Sequence, residues 1–201
     1  MANKITLKAS DGTTVEFYDE IKAQGGVKDV YFSTDKTYVV AFYRDPLNVN
    51  DKERVKNIVG TYRERIFTNT PDGQYWKDLF PWPSKLVEWN GKTGIVMPFY
   101  DKKFFFNGGP FDGKEKNGKW FASAKLRNRF LPADQKGNWL THLHLCIKIA
   151  RAIRRLHAAG LAHSDLSYNN VLIDPITGSA CVIDWWCQAS FLQRLLVLQI
   201  S

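Results

Sequence analysis

The sequence predicts an α+β fold in two parts, and three observations predict it. β-branched and aromatic residues crowd residues 4–45, and one helical periodicity follows at 51–67. A long amphipathic helix lies far downstream, at 138–159, followed by two short apolar runs around a turn. Strands first and helices later is the order of an α+β chain, not of a repeating βαβ unit.

The elements follow in order. Residues 13–18 and 37–43 read as strands, with Gly25-Gly26 as a flexible connection between them. Asp51 can cap a helix in which Val55, Ile58, Val59, Tyr62 and Ile66 recur at helical spacing. A Pro- and aromatic-rich stretch fills 75–83. Strands at 86–89 and 95–97 flank Asn90-Gly91-Lys92-Thr93-Gly94, a strong hairpin signal. Residues 101–118 are rich in Gly, Lys and Phe and read as a long connection. In the helix at 138–159, Leu140, Leu143, Ile147, Ala150, Ile153 and His157 fall on one stripe. Lys148, Arg151, Arg154 and Arg155 face away from it, and Gly160 stops the helix. Short strands at 171–173 and 180–183 enclose the turn Asp174-Pro175-Ile176-Thr177-Gly178.

Composition narrows the class. At 44% hydrophobic and 24% charged residues the chain reads as globular rather than disordered. The net charge of +8 is spread along the sequence, which describes a solvated basic surface better than a nucleic-acid footprint. Residues 1–10 lack the apolar core of a signal peptide, and no apolar run is long enough to span a bilayer. Cys146, Cys181 and Cys187 have no paired spacing, and Cys146 in an apolar helical stretch suits a buried thiol. A cytoplasmic location is expected.

Chemistry concentrates in His163-Ser164-Asp165-Leu166-Ser167-Tyr168-Asn169-Asn170, followed by Val182-Ile183-Asp184. An Asp and an Asn stand five residues apart on a loop between helix and strand, and a second Asp ends the next strand. Phosphoryl transfer asks for a carboxylate to orient the attacking hydroxyl and for oxygen ligands to Mg²⁺. Asp165, Asn170 and Asp184 can supply those parts, converging on a metal–triphosphate in a cleft. Taken singly, each is also an ordinary turn or loop residue.

In these residues the chain resembles the protein-kinase family, whose catalytic loop is H-R-D-L-x-x-x-N and whose metal-binding Asp follows a short hairpin. The resemblance covers residues 138–184, including the helix that leads into the loop. It implies Asp165 as catalytic base, Asn170 as a metal ligand with a catalytic role, and Asp184 as principal metal ligand, with ATP and Mg²⁺ as cofactors. Gln24-Gly25-Gly26-Val27-Lys28-Asp29-Val30-Tyr31 is similar to the later part of the Gly-rich loop. There Gly25 fits, but Ala23 and Lys28 stand where that loop usually has Gly. Val40-Ala41-Phe42-Tyr43 matches V-A-x-K except that Tyr43 replaces the Lys. Arg44 lies on the other face of the strand and can substitute only through a bulge. The partner Glu is open between Glu53 and Glu64. Residues 95–100 resemble the strand and hinge of the adenine pocket, with Met97 at its back. The implied nucleotide contacts are Gly25, Gly26, Val30, Ala41, Arg44, Met97, Phe99 and Leu172.

The implied organisation is a protein-kinase-like two-lobe fold. It comprises a β-rich nucleotide lobe at 1–98 with an antiparallel sheet and one helix, an incomplete helical lobe at 99–184, and an aberrant tail at 185–201. After Asp184 the family pattern stops at Trp185-Trp186. Regrouping the codons from there, starting at the third base of each preceding one, gives Val-Val and permits P-G-K-F-P-P-E-V-V-G-T-P-D-F. This resembles the close of an activation segment, so a frameshifted tail on an interrupted kinase is expected. Such a chain would expose the underside of its long helix, offer that surface to a covering partner, and turn over little ATP.

Three functions compete. The first is a Ser/Thr protein-kinase-type domain acting on a protein substrate. The second is a small-molecule kinase of the aminoglycoside or choline type, which Ser164 and Ile183-Asp184-Trp185 also fit. The third is a nucleotide-binding pseudokinase, suggested by Tyr43. Ser164 in place of the usual Arg argues against switching by a phosphorylated activation loop.

Overall fold

The computed structural model describes residues 2–68, 73–163 and 165–184. The expected aberrant tail at 185–201, and Ser164 with the inferences drawn from it, lie outside the described residues. The chain divides into two compact units, one built from residues up to 68 with Trp82–Phe99, the other from residues 73–81 with 100–184.

The first unit is a six-stranded antiparallel sheet in the order β1-β2-β3-β4-β6-β5. The strands are β1 Lys4–Lys8, β2 Thr14–Gln24, β3 Lys28–Ser33, β4 Tyr38–Tyr43, β5 Lys85–Trp89 and β6 Lys92–Pro98. Alternation gives the sheet two distinct faces. Phe17, Tyr31, Val40, Phe42, Val87 and Val96 form one core, against which Trp89 packs. In it Phe17, Tyr31, Phe42 and Trp89 meet edge-on or tilted at 5.3–5.7 Å between ring centroids. Gly94 makes room for this cluster, because a Cβ there would stand 2.6 Å from the Phe42 ring. The expected hairpin closes through Asn90 (φ 50°) and Gly91 (φ 75°), with Trp89 paired to Lys92.

The helix expected at 51–67 forms, but it starts earlier and is interrupted. Asn48, not Asp51, is its cap: the Asn48 Oδ1 accepts the Asp51 N–H at 2.9 Å, and Asn48 Nδ2 donates back to Asp51 Oδ2 at 2.7 Å. Helix α1 (Val49–Asn57) passes through a π turn at Ile58–Tyr62 into α2 (Arg63–Phe67). The buried Trp82 indole donates to the carbonyl of Ile58 at 2.8 Å, the place where the ladder shifts register.

The second unit contains α3 (Gly73–Leu79), α4 (Gly118–Ala122), α5 (Ala124–Phe130), α6 (Trp139–Ala158) and the hairpin β7 (Val171–Asp174) with β8 (Ser179–Val182). α3 falls in the Pro- and aromatic-rich stretch, where no helix was expected. Its Tyr75 and Trp76 rings lie under Arg151 and Arg155 of α6 at 4.6 and 5.1 Å. α6 begins with a capping box between Asn138 and Thr141. Its buried face is Leu145, Ala152 and Leu156, with Leu145 joining Phe106, Trp120, Leu131, Val171, Ile173 and Ala180 in one cluster. That corrects two expectations. Leu140, Leu143 and Ile147 are each 46% exposed, and Cys146 is exposed rather than buried.

The hairpin packs on α6 so closely that two turn glycines are required. A Cβ on Gly137 (φ 67°) would collide with the Pro175 carbonyl, and one on Gly178 (φ 65°) would lie 2.9 Å from the Thr141 carbonyl. The long connection is also tied in. Phe105 bridges Glu115, Asn117 bridges Leu172, and Ile173 donates its N–H to the Lys116 carbonyl at 2.7 Å. Among the described residues no helix is long and apolar enough to cross a membrane.

Candidate active site

The loop after α6 is held by the hairpin it leads into. Ile183 donates its N–H to the Asn170 carbonyl at 3.0 Å, which extends the β7–β8 ladder past Val171 and Val182. The short turn Tyr168–Asn170 is capped by Ser167, whose hydroxyl accepts the Asn169 N–H at 3.3 Å. So Asn170, just before β7, and Asp184, two residues past β8, lie at the same end of the hairpin.

His163 ties this end to Asp165. Its Nδ1 accepts the Asp165 N–H at 3.2 Å, which places the ring proton on Nε2, and Nε2 then donates to the Ile183 carbonyl at 3.1 Å. Burial pushes the His163 pKa down, against the opposing pull of the Ile183 carbonyl and of the Asp165 and Asp184 charges. A neutral imidazole therefore braces the loop and stands in the field of both carboxylates.

Asn170 Nδ2 donates to the Asp165 carbonyl at 2.8 Å and to Asp165 Oδ2 at 3.0 Å. With its nitrogen committed to Asp165, the amide presents Oδ1 elsewhere as an oxygen donor. Asp184 adopts a left-handed backbone (φ 55°), uncommon outside glycine and concentrated at functional sites. The donor chemistry suits Mg²⁺: one amide oxygen and one carboxylate leave room for water and phosphate oxygens. Among the described residues no cluster of three His, Cys, Asp or Glu forms an all-protein metal cage. Glu115 was not anticipated from sequence. Desolvation and then the Asp184 charge raise its pKa, so a third carboxyl lies within the field of Asp184. Its Gly-Lys-Glu-Lys context carries no signal of this.

The other sequence-identified residues separate by unit. In the first, β3 pairs Val30 with Ala41, and β4 pairs Ala41 with Ile95 and Val39 with Met97. Strand alternation puts Val30, Ala41 and Met97 on one sheet face, opposite the aromatic core. Phe99 joins that face through an edge contact with Phe32 at 4.7 Å. Gly25 and Gly26 form the tip of the β2–β3 hairpin, where Gly25 donates its N–H to the Lys28 carbonyl at 2.9 Å. Arg44 lies on the opposite face. Its guanidinium donates to the Gly25 carbonyl and pairs with Asp29 at 3.7 Å, so it fastens the glycine turn. Glu53 and Glu64 are both exposed, and Glu53 pairs with Lys56 at 3.8 Å. In the second unit Leu172 is fully buried beside Phe104, Cys181 and Ile183.

An antiparallel sheet with one helix, followed by a helical unit that carries this loop and hairpin, is a protein-kinase-like fold. Solved structures that share it include three protein-kinase-fold proteins. Vaccinia related kinase 3 matches at a TM-score of 0.55 and 10% identity, over 90% of this chain and 50% of that one. The ROP18 kinase domain in complex with AMP-PNP and sucrose matches at 0.52 and 15%, over 92% and 55%. ROP2 from Toxoplasma gondii, described as having a protein-kinase fold and no enzymatic activity, matches at 0.53 and 13%, over 92% and 54%. The chain thus spans about half the length of these relatives in structure. No family model matches it, and no curated protein matches it by sequence.

Proposed function

We propose that this chain is the nucleotide-handling part of an ATP- and Mg²⁺-dependent phosphotransferase of the Ser/Thr protein-kinase type. The observation that carries the proposal is the bracing of Asp165 by Asn170 and His163 at the hairpin end that bears Asp184. In this reading Asp165 takes the proton of the attacking hydroxyl, while Asn170 Oδ1 and Asp184 hold the metal. Bound Mg²⁺ would neutralise charge that develops on the phosphates. In the first unit Val30, Ala41, Met97 and Phe99 would contact the adenine, and Gly26 would offer its backbone N–H to phosphate, the Gly25 N–H being taken by the Lys28 carbonyl.

Titration with ATP, with and without Mg²⁺, tests this reading, with Asp184→Ala as the control. Saturable binding whose Mg²⁺-dependent part disappears in Asp184→Ala is expected. Absence of ATP binding by the unaltered chain would refute it. Tyr43 in the Lys position favours a second reading, nucleotide binding without transfer. Mg²⁺-dependent ATP binding with no phosphate released or transferred selects it.

A further inference from the structure

β4 ends in Tyr43, where the kinase resemblance calls for a lysine. The strand register sets Lys28 of β3 directly opposite Tyr43, two steps from the Val30–Ala41 pair. Lys28, Val30, Ala41 and Tyr43 therefore share one sheet face. In β3, β4 and β6 that face also carries Phe32, Val39, Thr93, Ile95 and Met97, so Lys28 is its one cation. Lys28 is only 6% exposed, and its Nζ stands 5.2 Å from the centroid of the Tyr43 ring. The Tyr43 ring is attractive to a cation but neutral, so it positions the ammonium without cancelling its charge. Arg44, the other basic residue nearby, is held on the opposite face by Gly25 and Asp29.

We infer that Lys28 is the phosphate anchor of this chain, delivered from β3 and steadied by Tyr43 in place of a lysine on β4. The inference rests on the nucleotide-binding reading above. It assigns to the Gly-rich turn a residue two positions after its glycines and tied to them: the Gly25 N–H bonds the carbonyl of Lys28 itself. Turn geometry and ammonium position are thereby coupled, and the departure at Tyr43 ceases to imply a lost function.

The test compares ATP with adenosine. Lys28→Met is expected to weaken ATP about 10- to 100-fold, the size of a lost charge-assisted contact, and to leave adenosine unchanged. The exchanged pair, Lys28→Met with Tyr43→Lys, returns the cation to the same face from β4 and is expected to recover most of the loss. Should Lys28→Met not fold, an acyl-phosphate derivative of ATP reads the unaltered chain. A phosphate-contacting lysine amine attacks its acyl carbon, loses a proton and releases ATP. Acylation of Lys28 that excess ATP suppresses is the expected result. If the chain binds ATP but Lys28→Met binds it equally well, or the label falls on other lysines, the inference fails while the nucleotide reading stands. If the chain binds neither ATP nor adenosine, both fail.

Discussion

Asn170 holds Asp165 twice, through its carbonyl at 2.8 Å and its carboxylate at 3.0 Å, from a single amide nitrogen. In the proposed reading the side chain that would ligand the metal would thus also orient the base. Removing it should have a structural cost separable from chemistry. Asn170→Ala loses two hydrogen bonds at a partly exposed site and is expected to cost about 1–2 kcal/mol in urea unfolding. Asn170→Asp places a second carboxylate against Asp165, so it should be the less stable variant near pH 7.5. That deficit should shrink as acid protonates the pair. Equal stability of the two variants at neutral pH would show that the 3.0 Å contact is not maintained.

His163 makes stability depend on pH with a definite sign. Its folded pKa lies below the ordinary 6.5 because burial disfavours the imidazolium. The unfolded chain therefore binds more protons than the folded one below that value. Stability is full above about pH 6.5 and falls as pH drops through the folded pKa. Between about pH 7.5 and about pH 5.5 the unfolding free energy should decline, and His163→Gln should remove that part of the decline. A slope unchanged in His163→Gln would place the titrating group elsewhere.

Local signals were legible where the chemistry is local. The turn at Asn90-Gly91 was legible from its own residues, although the strand resumes at Lys92 and not after Gly94, and Gly160 stops α6 through its own left-handed backbone. The loop that carries Asp165 and Asn170 could be placed because helix, loop and hairpin are consecutive. What sequence could not settle depended on distant partners. Two apolar stripes run along α6, and the one through Leu145, Ala152 and Leu156 is buried because the hairpin docks on it through Gly137 and Gly178. α3 was hidden because its aromatic residues are explained only by Arg151 and Arg155, some 75 residues later. Lys28 looked like a mismatch in a glycine loop until the register set it against Tyr43.

A buried ion pair adds to the backbone contacts between the long connection and the hairpin. Lys116 Nζ lies 3.6 Å from Asp174 Oδ1 and donates to the Lys103 carbonyl at 2.9 Å, with both side chains under 10% exposed. Asp174 also accepts from the Thr177 hydroxyl at 2.6 Å, which shapes the β7–β8 turn. Lys116→Met leaves a buried carboxylate without its cation and is expected to cost about 3–5 kcal/mol. Asp174→Asn keeps the turn acceptor and should cost less. A thermal or urea series that ranks Asp174→Asn as the more damaging change would contradict this account.

The second apolar stripe of α6 supports the last prediction. Trp139 is 77% exposed, and Leu140, Leu143 and Ile147 are 46% exposed each. An open groove of about 640 Å³ continues the stripe between Cys146, Ile149, Ala150, Ile153, Arg154, His157 and Leu166. Contiguous apolar surface of this kind marks an interaction site or an aggregation liability. Because these side chains remain about half exposed, replacing them should alter association more than folding. Leu143→Lys with Ile147→Lys is expected to keep the unfolding free energy within about 0.5 kcal/mol, as surface changes do, while lowering aggregation in light scattering. Leu145→Ala, two positions from either of them on the buried stripe, should instead cost about 2–5 kcal/mol. If the two lysines destabilise the chain as much as Leu145→Ala does, the stripe is part of its core and no partner is needed to cover it.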